Sequence, residues 1–210
     1  MIIHLIFITT FVILWNLYIG YSKQIGLYLS AITFILVTIM PSVNNYKTPF
    51  MLKMHLIIFT SICIFIGILY DCIQNSINKI LTWLIRINIG VLIFAIDNYL
   101  IKGLLLFSVI TTPYVFINNK SIDLTSSFIN KDLWVFLTTI ILLWFYNENI
   151  YFKNNNSFTL VLISLIIPCI FHFINNKYFE SRAILLCLAI IFDIFNHNKS
   201  LSQILNILTY

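Results

Sequence analysis

A chain of 210 residues, of which 60% are hydrophobic and only 9% are charged, has far fewer charged residues than a soluble domain, where about a quarter are charged. A chain of this length buries only part of its surface, so the remaining apolar surface must contact lipid or a partner protein. The net charge of +5 comes from basic residues that occur singly, one or two in each polar gap, which excludes a nucleic-acid-binding surface. The composition therefore predicts an integral membrane protein, with the lipid bilayer as its first partner.

Eight apolar segments follow one another along the sequence, most of them near the length of about 20 residues that a membrane-spanning helix requires. Their apolar residues form continuous runs, which favours helices over a membrane barrel. The sequence therefore predicts an all-α fold, a polytopic transmembrane helix bundle with short loops. Because the second, sixth and eighth segments are short or contain charges, seven spans are an alternative to eight. The segments are Ile2–Gly20, Ile25–Met40, Met51–Tyr70, Ile80–Ile96, Tyr99–Ile117, Leu133–Tyr146, Phe158–Ile174 and Tyr178–Phe195.

The polar gaps between the segments are too short for a soluble domain, so residues 1–198 are predicted to form one bundle. The first segment lacks the basic region and cleavage site of a signal peptide, which favours a retained span. In the tail, residues 199–210, Ser200 and Gln203 fit a capping box, and the apolar residues share one helical face. We expect the tail to be a short amphipathic helix on the membrane surface. The abundance of Ile, Asn, Lys, Phe and Tyr, whose codons are A/T-rich, indicates an A/T-rich genome.

Three charged residues inside the segments are the candidate substrate-binding residues. Arg86 lies in the fourth segment, and Glu180 and Arg182 lie near the start of the eighth. Charges inside spans are costly and usually face the bundle interior or a wet cavity. If neighbouring spans alternate in direction, Arg86 and Glu180 reach the same depth, so we predict an ion pair between them that Arg182 can share. The alternatives for Arg86 are a site for an anionic substrate and a structural side chain that extends to the membrane surface.

Two prolines, Pro113 and Pro168, lie within the fifth and seventh segments and predict helix bends. Thr111 and Thr112 precede the first proline and are placed to satisfy the carbonyl that it frees. Other hydroxyl side chains within the segments are predicted to form hydrogen bonds between helices, worth about 0.6 kcal/mol each, or to line a polar path. They include Thr60, Ser61, Ser108, Thr138, Thr139 and Ser164.

His4, His55, His197 and Asp193 are all expected near one side of the membrane. Three imidazoles and a carboxylate can bind zinc, so these residues are the candidate metal ligands. No two of the histidines are three or four residues apart on one helix, however, and the sequence therefore favours no metal site and indicates no particular cofactor. His172, near the proline of the seventh segment, is expected to be a packing residue.

The sequence contains no catalytic motif of a known intramembrane hydrolase and no nucleotide-binding glycine pattern. The function predicted first is therefore a subunit or scaffold of a larger membrane complex, with other membrane subunits as partners. The first alternative is a small transporter or permease for an anionic or lipid-like solute, with Arg86, Glu180 and the proline bends as its working parts. The second alternative is a lipid-modifying membrane enzyme that uses the His and Asp residues.

Overall fold

A computed structural model describes residues 23–39, 48–118, 121–125, 128–148 and 155–197 of the chain. The predicted first span, Ile2–Gly20, the predicted tail over residues 199–210 and the candidate ligand His4 lie outside these residues. Within the described part, the chain is mostly helical, which confirms the all-α fold class.

The described residues form seven α-helices, one 3₁₀ helix and one two-stranded hairpin. Each predicted apolar segment from the second to the eighth contains one α-helix, although several boundaries differ. The elements in chain order are α1 (Lys23–Ile39), α2 (Thr48–Leu69), α3 (Asp71–Gly90), the 3₁₀ helix (Val91–Ala95), α4 (Tyr99–Ile110), β1 (Tyr114–Asn118), β2 (Ser121–Thr125), α5 (Lys131–Glu148), α6 (Asn155–Asn175) and α7 (Tyr178–His197).

Two stretches among the described helices are long and apolar enough to cross a membrane. They are Met51–Leu69 in α2 and Asp71–Ala95, which joins α3 to the 3₁₀ helix. By helix length and apolar composition, the described residues do not contain the seven or eight predicted spanning helices. Helix α1, for example, has only 17 residues and α4 only 12. Helix length and composition therefore support an association with a membrane, and a buried core helix of a soluble protein meets the same criterion.

The predicted fifth span, Tyr99–Ile117, is wrong over its last seven residues. Helix α4 ends at Ile110, and the chain then enters strand β1. Pro113 accounts for the change, because proline lacks the N–H that a helix needs and disfavours the helical conformation of the residue before it. Pro113 therefore ends a helix and does not bend one. The hydroxyls of Thr111 and Thr112 donate to the carbonyls of the last helical turn, at 2.7 and 2.8 Å.

Pro168 lies inside α6, as the sequence predicts. Because proline has no N–H, the carbonyl four residues earlier loses its main-chain donor at this point. The helix continues on both sides of the proline, from Asn155 to Asn175. The bend itself stays a prediction.

Strand β1 pairs with β2 on one edge and lies against α3 on the other. The side chain of Asn78 accepts a hydrogen bond from the N–H of Ile117 at 2.7 Å and donates to its carbonyl at 3.2 Å. One helical turn further, the hydroxyl of Thr82 accepts from the N–H of Val115 at 2.9 Å. Four helical residues rise about 6 Å and two strand residues about 6.6 Å, so the strand and the helix keep the same register. Side chains of α3 thus satisfy the second edge of β1.

Helix α1 buries a glycine, a serine and a threonine on its inner face and exposes most of its large apolar residues. A helix on the surface of a soluble protein has the reverse arrangement. Small residues facing the bundle and large apolar residues facing outward are typical of helices that pack inside a membrane. The buried residues are Gly26, Ser30, Thr33 and Val37, and the exposed ones include Tyr28, Ile32, Phe34, Ile35 and Ile39.

Most hydroxyl groups within the described helices donate to the carbonyl four residues earlier in their own helix, and the predicted hydrogen bonds between helices form for only some of them. The hydroxyl of Thr60 also accepts from the Nδ2 of Asn88 on α3 at 3.4 Å, and that of Ser30 accepts from the Sγ of Cys187 on α7 at 3.8 Å. The hydroxyl of Thr82 bonds to β1. The intrahelical donors include Ser30, Thr33, Thr60, Ser61, Thr111, Thr112 and Thr139.

Gly26→Ala is expected to destabilise the bundle, whereas Gly103→Ala is not. A Cβ atom at residue 26 would lie 2.5 Å from the ring of Phe65, which is fully buried, and a Cβ at residue 103 meets nothing within 4 Å. Overpacking costs about 1–3 kcal/mol, and alanine for glycine at an open helical position gains up to about 1 kcal/mol. Thermal unfolding followed by circular dichroism measures both changes. Equal midpoints for the two variants would contradict the close contact of α1 with α2.

Candidate functional site

A small cavity lies between α2, α3, α5 and α7. Its volume is about 50 Å³, which is room for roughly three or four water-sized groups at 10–15 Å³ each. Its wall is mainly apolar. The polar residues in the wall are Lys53, Thr60, Ser61, Asn88 and Arg182.

The side chain of Lys53 is buried, with only 5% of the residue exposed. Its ammonium donates a hydrogen bond to the main-chain carbonyl of Asn88. Asn88 lies just before the junction of α3 with the 3₁₀ helix. At such a junction the main-chain hydrogen bonds change from the i+4 to the i+3 pattern, so a carbonyl there is left without its helical N–H donor. The oxygen of this carbonyl carries only a partial negative charge, so it compensates only part of the positive charge of Lys53.

Arg182 reaches the same cavity from α7. Its Nη1 donates to the hydroxyl of Tyr178, one turn earlier, and its guanidinium lies 5.4 Å from the centre of that ring. Neither contact supplies a negative charge. Within the described lining of the cavity no residue is acidic, so two cations face a space that contains no counter-charge from those residues.

The two cations enter the cavity from opposite ends of the bundle. The early turns of α2 pack against the late turns of α7, where Met54 and Ile57 share a cluster with Ile190 and Ile194, so these helices are antiparallel. Lys53 lies near the start of α2 and Arg182 near the start of α7. The two residues therefore reach the same cavity from helix ends that lie on opposite sides of the bundle.

Of the three predicted binding residues, only Arg182 lines this cavity. Lys53 is the residue that the sequence analysis missed, because its place near the start of an apolar segment is typical of an interfacial lysine. A signal was present in the spacing. Thr60 and Ser61 follow Lys53 by seven and eight residues, which places all three on one face of a helix and marks a polar stripe inside an apolar span.

The predicted ion pair between Arg86 and Glu180 is wrong. The Nη2 of Arg86 donates to the carbonyl of Thr112 at 3.3 Å, and its guanidinium lies 5.2 Å from the centre of the Trp83 ring. Glu180 instead meets the hairpin, where its Oε1 accepts from the N–H of Ile122 at 3.2 Å. The sequence compares these two residues because their positions place them at the same depth along their helices. The helices, however, direct the two side chains toward different neighbours.

Glu180 is almost completely buried, with 3% of the residue exposed. One carboxyl oxygen holds strand β2 through the N–H of Ile122. The other, Oε2, is buried without a hydrogen-bond partner in the described structure. Glu180 therefore connects the hairpin to α7 through one carboxyl oxygen, and its other carboxyl oxygen has no hydrogen-bond partner among the described atoms.

Of the four candidate metal ligands, only His55 has a side chain within the described part of the chain, where no group of three metal-binding side chains is found. The Nδ1 of His55 is hydrogen-bonded at 2.8 Å to the carbonyl of Met51 in its own helix. His4 and the side chains of Asp193 and His197 lie outside the described residues.

A contact that the sequence analysis did not predict joins α5 to α6. The Nε2 of His172 lies 2.8 Å from the Oδ1 of Asp132, with the imidazole buried and the carboxylate half-exposed. Asp132 lies in the first turn of α5, where a negative charge stabilises the helix end, and His172 lies in the last turn of α6. The Nδ1 of His172 is buried without a partner among the described atoms. His172 therefore does more than pack.

No protein family model, curated protein or solved structure matches this chain. The functional argument therefore rests on the geometry of the chain's own residues.

Glu180→Leu is expected to destabilise the fold, and Glu180→Gln to leave it almost unchanged. Glutamine keeps the acceptor for the N–H of Ile122, whereas leucine leaves that buried donor without a partner, at a cost of about 1–3 kcal/mol. The midpoints of thermal unfolding of the two variants measure the difference. A loss of the fold in the glutamine variant would show that the carboxylate charge, and not its acceptor oxygen, is required.

Proposed function

We propose that this chain is a multi-pass integral membrane protein that binds a small anion, or the anionic group of an amphiphile, inside its helix bundle and carries it across the membrane. One observation supports the proposal above all others. Lys53 and Arg182 line one cavity, and no described residue of that cavity is acidic.

The membrane part of the proposal is supported by the outer surface of the bundle. Large apolar side chains are exposed on α1, α4 and α5, while most hydroxyl residues of the same helices are buried. In water, such an arrangement leaves large apolar patches exposed, which soluble monomers rarely do. In lipid, the same side chains face their preferred solvent. The exposed residues include Ile35, Ile39, Leu100, Phe107, Ile110, Phe136 and Ile140.

The anion part of the proposal is supported by the free energy of the buried charges. Removing an ion from water costs several kcal/mol unless a counter-charge repays it, and two like charges in one apolar cavity also repel one another. Within the described structure, the buried Lys53 and the half-buried Arg182 have only a carbonyl and a phenol oxygen as hydrogen-bond partners. A bound anion relieves both costs, and the cavity has the volume of one small anionic group.

The carrier function is supported by the directions from which the cations approach. Lys53 comes from one end of the bundle and Arg182 from the other, so an anion held between them can be passed from one residue to the next. The hydroxyls of Thr60 and Ser61 and the amide of Asn88 give the cavity further polar contacts. A scaffold subunit has no need of a buried lysine and a half-buried arginine in one cavity, and the geometry therefore favours a carrier over the function that the sequence predicts first.

The chain is expected to stay in the membrane pellet after alkaline carbonate washing and to require detergent for extraction. This follows from the apolar side chains exposed on its helices, which have no favourable solvent in water. Immunoblotting of pellet and supernatant is a sufficient measurement. A monomer that remains in solution in plain buffer would refute the membrane part of the proposal.

Lys53→Met is expected to raise the thermal midpoint of the chain while abolishing anion binding. Methionine keeps about the volume and the apolar stem of the lysine and removes a buried charge whose desolvation costs several kcal/mol. This gain exceeds the loss of the donor to the carbonyl of Asn88, which costs about 1–3 kcal/mol. Inorganic phosphate and acetate serve as probes, with binding measured as the shift of the midpoint and transport as uptake into liposomes.

Arg182→Gln should abolish the same probe-dependent shift. Lys102→Gln is the matched control, because Lys102 lies on α4, away from the cavity, with its ammonium 5.4 Å from the centre of the Tyr99 ring. A cavity that is purely structural would give a different pattern. Lys53→Met would then lower the midpoint, and neither anion would shift the midpoint of the unaltered chain.

A further inference from the structure

A second cationic cleft lies on the outside of α3, at the base of the β-hairpin. It has a volume of about 340 Å³ and is separate from the central cavity. Residues of α3 form one wall, and the chain before β1 and after β2 forms the other. The residues that matter for its chemistry are Lys79, Trp83, Arg86, Thr112, Tyr114 and Phe128.

Arg86 is only partly satisfied in this cleft. Its Nη2 donates to the carbonyl of Thr112 at 3.3 Å, but its Nε is buried and has no hydrogen-bond partner in the described structure. No described residue lining the cleft is acidic. A guanidinium has five N–H donors in a planar fork that matches a phosphate or carboxylate. The buried Nε is closed to solvent, so the accessible Nη donors that Thr112 leaves unused are the groups that can bind an anionic ligand in the cleft.

Lys79 places a second positive charge on the same wall of the cleft. It lies seven residues before Arg86, which is two helical turns or about 10.5 Å along α3. Lys79 is exposed, whereas Arg86 is half-buried. The positive charge therefore extends from the opening of the cleft to its interior.

Three aromatic residues surround the cleft and are exposed. The exposed fractions are 60% for Trp83, 50% for Tyr114 and 83% for Phe128. Exposed aromatic rings beside positive charges are typical of the boundary between lipid headgroups and acyl chains. A free inorganic anion makes no use of such rings, whereas an amphiphile contacts the cations and the rings together.

We infer that this cleft binds the phosphate of an anionic glycerophospholipid, with Arg86 and Lys79 as the phosphate ligands. The acyl chains lie along Trp83 and Phe128, and the glycerol backbone fills the space below Tyr114. The size of the cleft fits a headgroup better than a bare phosphate. This inference depends on the membrane placement proposed above, but not on the central cavity or on transport.

The test uses the full chain in nanodiscs of phosphatidylcholine that contain a small fraction of brominated phosphatidylglycerol or, in a matched sample, brominated phosphatidylcholine. Bromine quenches tryptophan fluorescence at short range, so a bound lipid quenches Trp83. The brominated anionic lipid is expected to quench the unaltered chain more strongly. Trp83→Phe is expected to remove this excess quenching, and Arg86→Gln to weaken the apparent affinity for the anionic lipid about tenfold.

Two further variants keep the test informative if Arg86→Gln disturbs the fold. Lys79→Gln changes an exposed residue of the same cleft and is expected to lower the lipid preference about threefold, while Arg86→Lys retains the charge and part of the preference. Lys102→Gln, outside the cleft, should have no effect. Equal quenching by the two lipids in the unaltered chain, or a preference unchanged in both Arg86→Gln and Lys79→Gln, overturns the inference.

Two more measurements separate this site from other sources of anion binding. Inorganic phosphate in the millimolar range should not displace the brominated lipid; if it does, the ligand is free phosphate and the lipid assignment fails. Arg182→Gln, which removes a cation of the central cavity, should leave the lipid preference intact. If Arg182→Gln abolishes the lipid preference while Arg86→Gln retains it, the lipid binds in the central cavity. This result overturns the inference, whatever the outcome of the transport assays.

Discussion

The hydrogen bond between the Lys53 ammonium and the carbonyl of Asn88 is the interaction on which the candidate site depends. A charge this deeply buried is tolerated only where the main chain or a counter-charge compensates it. The junction between α3 and the 3₁₀ helix provides the carbonyl, because a change in helical hydrogen bonding frees an acceptor there. The irregularity in α3 is thus what allows a lysine to point into the bundle. Arg182 then adds a second charge that has no acidic partner among the described lining residues.

The hairpin is the second departure from a simple helical bundle, and three polar side chains make it possible. Main-chain groups at an unpaired strand edge are costly to bury. Asn78 and Thr82 satisfy the edge of β1 that faces α3, and Glu180 satisfies the N–H of Ile122 on β2. Polar residues inside apolar segments therefore have two roles in this chain. Some hold irregular main chain in place, and others line the cavity and the cleft.

The sequence predicts the helical class and the position of each described helix, because long apolar runs without alternation have few other solutions. It does not predict the hairpin, since Tyr114–Ile117 continues an apolar run and only Pro113 marks its start. The pairing of Arg86 with Glu180 failed for a different reason. Depth along a helix follows from residue number, but the direction in which a side chain leaves the helix axis depends on how the helices pack. Arg182 was identified from its charge, whereas Lys53 escaped notice because its position resembles that of an interfacial anchor.

The register between β1 and α3 has a consequence for how far a short segment can reach. The 12 residues of α4 extend about 18 Å as a helix, and the 5 residues of β1 extend about 16 Å as a strand. A helix that covers the length of β1 needs about 11 residues. Each residue of β1 therefore advances the chain about twice as far as a helical residue does. The gain or loss of one residue in β1 would shift its main chain by about 3.3 Å against Asn78 and Thr82 and remove both contacts.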